Sequence, residues 1–235
     1  MLSFIFGSAF FLALILHIET ATQVCSIALA KDGKLLSLKE ENKGFSHAEN
    51  ITVFMEIVLS ASGKKIQQLD AVAVSAGPGS YTGLRIGASA AKGLCFALDK
   101  PLIAVPTLES LAVSFLNDFN VPNGAVLVPM IDARRMEVYC AVYDDQLREI
   151  EKTSAKVIDA GSFDNLPDGR PVYFFGDGAA KCKTMLEKTN RIFVDNIFPS
   201  GASMIKLAEE KFSNKTFENV SLFEPAYLKE FYTPK

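Results

Sequence analysis

Ser75-Ala76-Gly77-Pro78-Gly79-Ser80-Tyr81-Thr82-Gly83-Leu84-Arg85-Ile86-Gly87 follows the apolar run Leu69 to Val74 and opens a segment rich in small residues that reaches Leu98. The run reads as a buried strand and the segment as a helix with charges only at Arg85 and Lys92. Gly77 and Gly79, with Pro78 fixing its own φ between them, mark a turn that no strand or helix interior tolerates. A strand, a glycine turn and a helix together predict an α/β protein. Gly83, Gly87 and Ala91 recur at four-residue spacing, so they share one face and let another element approach closely.

Before this turn, Leu14 to Thr20 reads as a strand, Val24 to Ala30 as a second, and Asp32-Gly33 as a hairpin into Lys34 to Leu38. Ser46-His47-Ala48-Glu49 fits a capping box opening a helix to about Ser60. Its apolar positions, among them Ile51, Phe54, Met55 and Val58, leave a polar stripe narrower than packing on one sheet face requires. Two readings follow: an interface with a partner, built with the helix of Gly83, Arg85, Gly87 and Ala91, or two helices central to the core.

After the turn come a strand at Leu102–Val105, Thr107 as a helix cap, a helix over Leu108–Phe115 and a linker at Asn117–Gly124. The opening then recurs. Leu127 to Ala133 parallels Leu14 to Thr20, strand then acid then small residue, and Val138 to Asp145 parallels Val24 to Lys31. Strands at Pro171–Phe175 and Ile192–Val194, helices at Ala179–Lys188 and Ala202–Phe212, and an aromatic-rich tail complete the chain. The repeat predicts a duplicated architecture, with lobes at 13–116 and 117–235 and the tail packing back on the body. Residues 1–12 read as an amino-terminal extension, apolar but without the basic start of a secretory signal.

Composition narrows the function. The 235 residues are 49% hydrophobic, which allows a large core. The 24 basic and 27 acidic residues nearly balance, and the longest basic runs are the pairs Lys64-Lys65 and Arg134-Arg135. That argues against nucleic-acid binding by this chain alone and against a membrane surface. The four cysteines are far apart, the first three in apolar segments, and read as reduced core residues of a cytoplasmic protein. With two histidines, His17 and His47, no two-histidine metal site at helical spacing can form.

Ile18-Glu19-Thr20-Ala21-Thr22, Ser46 to Glu49, Gly77 to Gly87, Val105 to Leu111, Ile131 to Arg134, Gly176-Asp177-Gly178 and Tyr227-Leu228-Lys229 closely resemble the TsaB (YeaZ) family. The resemblance covers nearly the whole chain from Leu14 onward. It implies two actin-like ATPase (ribonuclease H-like) lobes, each a mixed β-sheet with flanking helices. It also implies a non-catalytic dimerisation subunit of the bacterial complex that makes N6-threonylcarbamoyladenosine in tRNA. The expected partners are the catalytic TsaD subunit and the TsaE ATPase, with tRNA met only through the complex and a homodimer when the chain is alone. The family's interface is a bundle of the first two helices, which places Ile51, Phe54, Met55, Val58, Gly83, Arg85, Gly87 and Ala91 at it. Gly87→Arg and Phe54→Asp are then expected to abolish dimerisation with the fold intact.

The catalytic paralogue's histidine pair falls at Thr107 and Leu111, so neither metal nor catalytic residues are expected, contrary to the peptidase name attached to the group. Glu19 stands where the family has Asp. No cofactor is required, although weak ATP or ADP binding near Thr20, Gly77, Gly79 and Gly176 is compatible with the fold, because a glycine turn before a helix can hold an anion. The turn lacks the Lys of a Walker A loop. An ATP-dependent small-molecule kinase is the alternative, with Glu19 and Asp132 as its candidate acids.

Overall fold

A computed structural model describes residues 13–44 and 47–229. The amino-terminal extension, Ser46 of the expected capping box and the last residues of the tail lie outside them. Two five-stranded sheets account for the architecture. In the first, β1 (Leu14–Glu19), β2 (Cys25–Lys31) and β3 (Lys34–Glu41) form the antiparallel meander, and β4 (Ala71–Ser75) and β5 (Leu102–Val105) extend it in parallel, in the order β3-β2-β1-β4-β5. In the second, β6 (Val126–Asp132), β7 (Glu137–Asp144) and β8 (Glu149–Val157) repeat the meander, and β9 (Val172–Phe175) and β10 (Arg191–Val194) repeat the parallel pair, in the order β10-β9-β6-β7-β8. The two sheets thus share one topology, the duplication read from the paired strand-acid-turn motifs.

β8 was not among the expected strands. Glu149-Ile150-Glu151-Lys152-Thr153-Ser154-Ala155-Lys156-Val157 is too polar to signal burial, and it pairs as an edge strand that stays largely in solvent. The helix expected at 179–188 is instead a 3-10 turn, Ala180–Cys182, leading into the single-turn α4 (Lys183–Leu186).

One face of the first sheet, carrying Leu16, Ile18, Ile27, Val72 and Val74, is covered by α1 (His47–Ser62) and α2 (Tyr81–Leu98). The other face, Ile15, Ala73, Ile103 and Val105, packs against Met204, Leu207 and Ala208 at the start of α5 (Ile205–Ser213). α3 (Thr107–Asp118) turns Leu108, Leu111, Ala112 and Phe115 onto the second sheet at Leu127, Ile131 and Phe175. The Phe115 and Phe175 rings stack at 4.3 Å. Each sheet is therefore covered by a helix that arrives from beside the other, and the division drawn at residue 116 falls inside α3.

The tail returns to the first sheet. Glu218 bridges Leu102 on the β5 edge with its N–H donating to the Leu102 carbonyl at 2.9 Å. Lys92 Nζ donates to the Ser221 and Phe223 carbonyls at 3.2 and 3.0 Å, and Phe223 is buried in the core. The Ala226 N–H then donates to the Ala76 carbonyl at 2.8 Å, and Lys229 pairs with Glu137 beside the β6–β7 hairpin.

Candidate functional site

The glycine turn sits where the ends of β1 and β4 meet the start of α2. Gly77 has φ +91° and a cis bond to Pro78, a conformation open to glycine. Ser80 caps α2, its Oγ accepting from the Gly83 N–H at 3.2 Å. The row Gly83, Gly87 and Ala91 lies inward. A Cβ at Gly83 would stand 2.1 Å from the Thr20 carbonyl oxygen, and one at Gly87 2.3 Å from Thr20 Oγ1. The close approach signalled by that row is therefore made by the end of β1. Thr20 Oγ1 seals it by donating to the Gly83 carbonyl at 2.9 Å.

This packing decides whether the turn fits a nucleotide. The Gly77 N–H donates to Thr107 Oγ1 at 3.1 Å and the Ser80 N–H to the Ala21 carbonyl at 2.7 Å. Two amides that would cradle a phosphate thus already have acceptors. Thr107 serves as that acceptor, while the α3 cap position is Pro106, not Thr107. A Cβ at Gly79 would lie 2.4 Å from the Ala21 carbonyl, and one at Gly77 2.9 Å from the Ala226 carbonyl of the tail. The expected nucleotide residues Thr20, Gly77 and Gly79 are thus gathered in one place but closed by the chain itself. Gly176, with φ +100°, follows β9 in the second sheet, where its missing Cβ makes room for the Met130 carbonyl and Leu111.

The acids of the kinase alternative fare no better. Glu19 is fully buried; Oε1 accepts from the Ala21 N–H at 2.7 Å and Oε2 has no partner. Burial pushes its carboxyl up to about 7, against the pull of the hydrogen bond from the Ala21 N–H. A carboxylate sealed from solvent cannot reach a phosphate-bound metal. Asp132 is committed otherwise: Oδ1 accepts from Lys181 and from the Arg134 N–H at 2.8 Å. The residues present do not fit a magnesium-nucleotide site, and no group of three or more His, Cys, Asp or Glu suited to a metal occurs among the described residues.

Neither histidine is placed for chemistry. His17 lies inside β1 with both ring nitrogens unpartnered, and burial pushes its pKa down to about 4. His47 Nε2 donates to the Thr22 carbonyl at 2.9 Å from the first turn of α1. Thr107 and Leu111, the positions of the paralogue's histidine pair, are both buried.

The expected interface needs correction at the level of single residues. Ile51, Phe54, Met55 and Val58 point into the core of the first sheet, and Gly83, Gly87 and Ala91 are buried against β1 or the core. Of the eight, Arg85 alone is exposed. Gly87→Arg would drive a side chain into Thr20 and Phe54→Asp would put a carboxylate in the core, so both variants damage the fold before they test an interface. The outward faces of the same two helices nonetheless carry large apolar side chains. α1 exposes Val53 at 48% and Ile57 at 41%, and α2 exposes Phe96 at 86% beside the small residues Ser89 and Gly93. The amphipathic pattern did not separate these positions, because α1 is apolar on both sides.

A family profile described as tRNA N6-adenosine threonylcarbamoyltransferase, TsaD, matches residues 41–231. The chain is 31% identical over 232 residues to the tRNA threonylcarbamoyladenosine biosynthesis protein TsaB of Haemophilus influenzae, covering 94% of this chain and 95% of that protein. It is 31% identical over 176 residues to the TsaB of Bacillus subtilis, covering 74% and 75%. Among solved structures, YeaZ from Pseudomonas aeruginosa superposes with a TM-score of 0.82 at 24% identity, covering 92% of this chain and all of that one. An activator of 2-hydroxyisocaproyl-CoA dehydratase from Clostridium difficile superposes with a TM-score of 0.50 at 11% identity, covering 88% of this chain and 98% of that one, a likeness of actin-like ATPase fold.

Proposed function

Because this chain belongs to the TsaB (YeaZ) family, we propose that it is the non-catalytic dimerisation subunit of the bacterial complex that makes N6-threonylcarbamoyladenosine in tRNA. In this reading it binds the catalytic TsaD subunit through the outward faces of α1 and α2 and works alongside the TsaE ATPase. Alone, it pairs with a second copy through the same faces. The observation that carries the reading is the exposed apolar set Val53, Ile57 and Phe96 on two helices whose inner faces are already saturated by the sheet. Large apolar side chains exposed on the outward faces of packed helices favour burial against a partner. The closed glycine turn and the sealed Glu19 argue against activity of its own.

Purified chain, TsaD, TsaE, tRNA, ATP, bicarbonate and threonine, together with the enzyme that supplies threonylcarbamoyl-adenylate, are assayed for modified adenosine. Product is expected when all are present and little when this chain is omitted. Product from this chain without TsaD, or undiminished product without this chain, overturns the reading.

A further inference from the structure

Basic residues scattered through the sequence meet on one surface in the fold. Arg85 of α2 lies over the Tyr81 ring at 4.2 Å, and Tyr81 meets the Tyr227 ring of the tail at 4.8 Å. Two residues further on, Lys229 pairs with Glu137 at the base of the β6–β7 hairpin. The tip of that hairpin carries Arg134 and Arg135, both exposed and both with positive φ. Of the acids at the hairpin, Asp132 is paired with Lys181 and Glu137 with Lys229, and Asp177 accepts from the Asp132 N–H. Among the described residues Arg85, Arg134 and Arg135 have no acid partner.

We propose that this surface, running from Arg85 and the two tyrosines along the tail to the Arg134-Arg135 hairpin tip, contacts RNA in the assembled complex. The cations meet phosphates, and the exposed part of the Tyr227 ring offers a face for an unstacked base. A nearly neutral chain does not bind RNA strongly by itself, but a few positioned cations suffice where a partner supplies the remaining contacts. The inference rests on the proposed function for the identity of the RNA, a tRNA, and concerns a surface separate from the outward faces of Val53 and Ile57.

The test titrates labelled tRNA onto the complex of this chain with TsaD at several salt concentrations, comparing wild type with an Arg134→Gln/Arg135→Gln double variant. Sedimentation measures assembly in parallel. Each lost contact to a flexible strand lowers the salt slope by about 0.7, so the double variant is expected to lose about 1.4 in slope and roughly tenfold in affinity near physiological salt, with assembly unchanged. Tyr227→Leu is expected to weaken binding with the slope preserved, since it removes a stacking face and no charge. Unaltered affinity and slope in the double variant overturn the proposal. Loss of assembly instead of RNA affinity also overturns it, by assigning the surface to a protein partner. If the wild-type chain forms no complex, the proposed function has failed; the same titration on the chain alone at low salt then decides the RNA surface, for it if the variant loses slope and against it otherwise.

Discussion

Replacing Glu19 with Gln separates two buried groups whose effects on stability oppose each other. Burial raises the Glu19 carboxyl from 4.5 to about 7. The unfolded chain loses this proton near 4.5 and the folded one near 7, so the stabilising contribution is full below the first value and is lost as pH rises through the second. At about 1.36 kcal/mol for each pH unit between the two, the loss amounts to about 3 kcal/mol. His17 runs the other way. Burial lowers it from 6.5 to about 4, so its contribution is full above the first value and is lost as pH falls through the second, again by about 3 kcal/mol. Over the shared window the two slopes nearly cancel. In Glu19→Gln the amide oxygen keeps the bond from the Ala21 N–H, and the amide nitrogen, placed where Oε2 had no partner, costs the same at every pH. Urea denaturation at a series of pH values gives the difference between variant and wild type, in which every other titrating group cancels. The variant is expected to gain about 3 kcal/mol relative to wild type between pH 4.5 and 7, with His17→Leu gaining in the opposite direction as pH falls from 6.5 to 4. Parallel curves refute the reasoning.

Gly83→Ala, whose Cβ would meet the Thr20 carbonyl oxygen at 2.1 Å, is expected to cost upward of about 3 kcal/mol by urea denaturation. Gly93→Ala, in the same helix with nothing within 4 Å of the new Cβ, is expected to stabilise by roughly 0.5–1 kcal/mol. Val53→Asp/Ile57→Asp is expected to abolish association with TsaD and self-association by analytical ultracentrifugation while changing the melting temperature less than a core substitution, because both residues are about half exposed. Cys25, Cys95 and Cys140 are buried and their thiols pushed up to about 11, so a disulfide reagent at pH 8 is expected to leave them unmodified until urea is added. Lys92→Met, which removes the donor to the Ser221 and Phe223 carbonyls, is expected to speed proteolysis within the tail ahead of any cut in the sheets.

The duplicated meander and the βα unit at the glycine turn were legible because buried strands are apolar without interruption and turns need glycine or proline. Asp132-Ala133 and Glu19-Thr20 mark equivalent strand ends in the two sheets. β8 escaped because an edge strand in solvent carries little hydrophobic signal. The small-residue row of α2 was read correctly as a place of close approach, but composition cannot say which element approaches, and it proved to be the chain's own β1. A single aromatic in an apolar helix reads as core, yet Phe96 faces outward in the folded chain. The basic surface is not legible in the sequence because the Arg134-Arg135 pair, Arg85 and Lys229 lie far apart in the chain and meet only through the tail.

The bridge from Glu218 to Leu102 bears on how the protein is made. During synthesis the strands of the first sheet emerge long before the segment that covers its outer edge, so β5 waits with unpaired backbone groups while the second sheet is still being translated. An uncovered edge is where a nascent chain pairs with the wrong neighbour. A ribosome-stalled product ending before Glu218 should therefore leave that edge open to added β-strand peptide and lose this binding once the tail has been released from the exit tunnel.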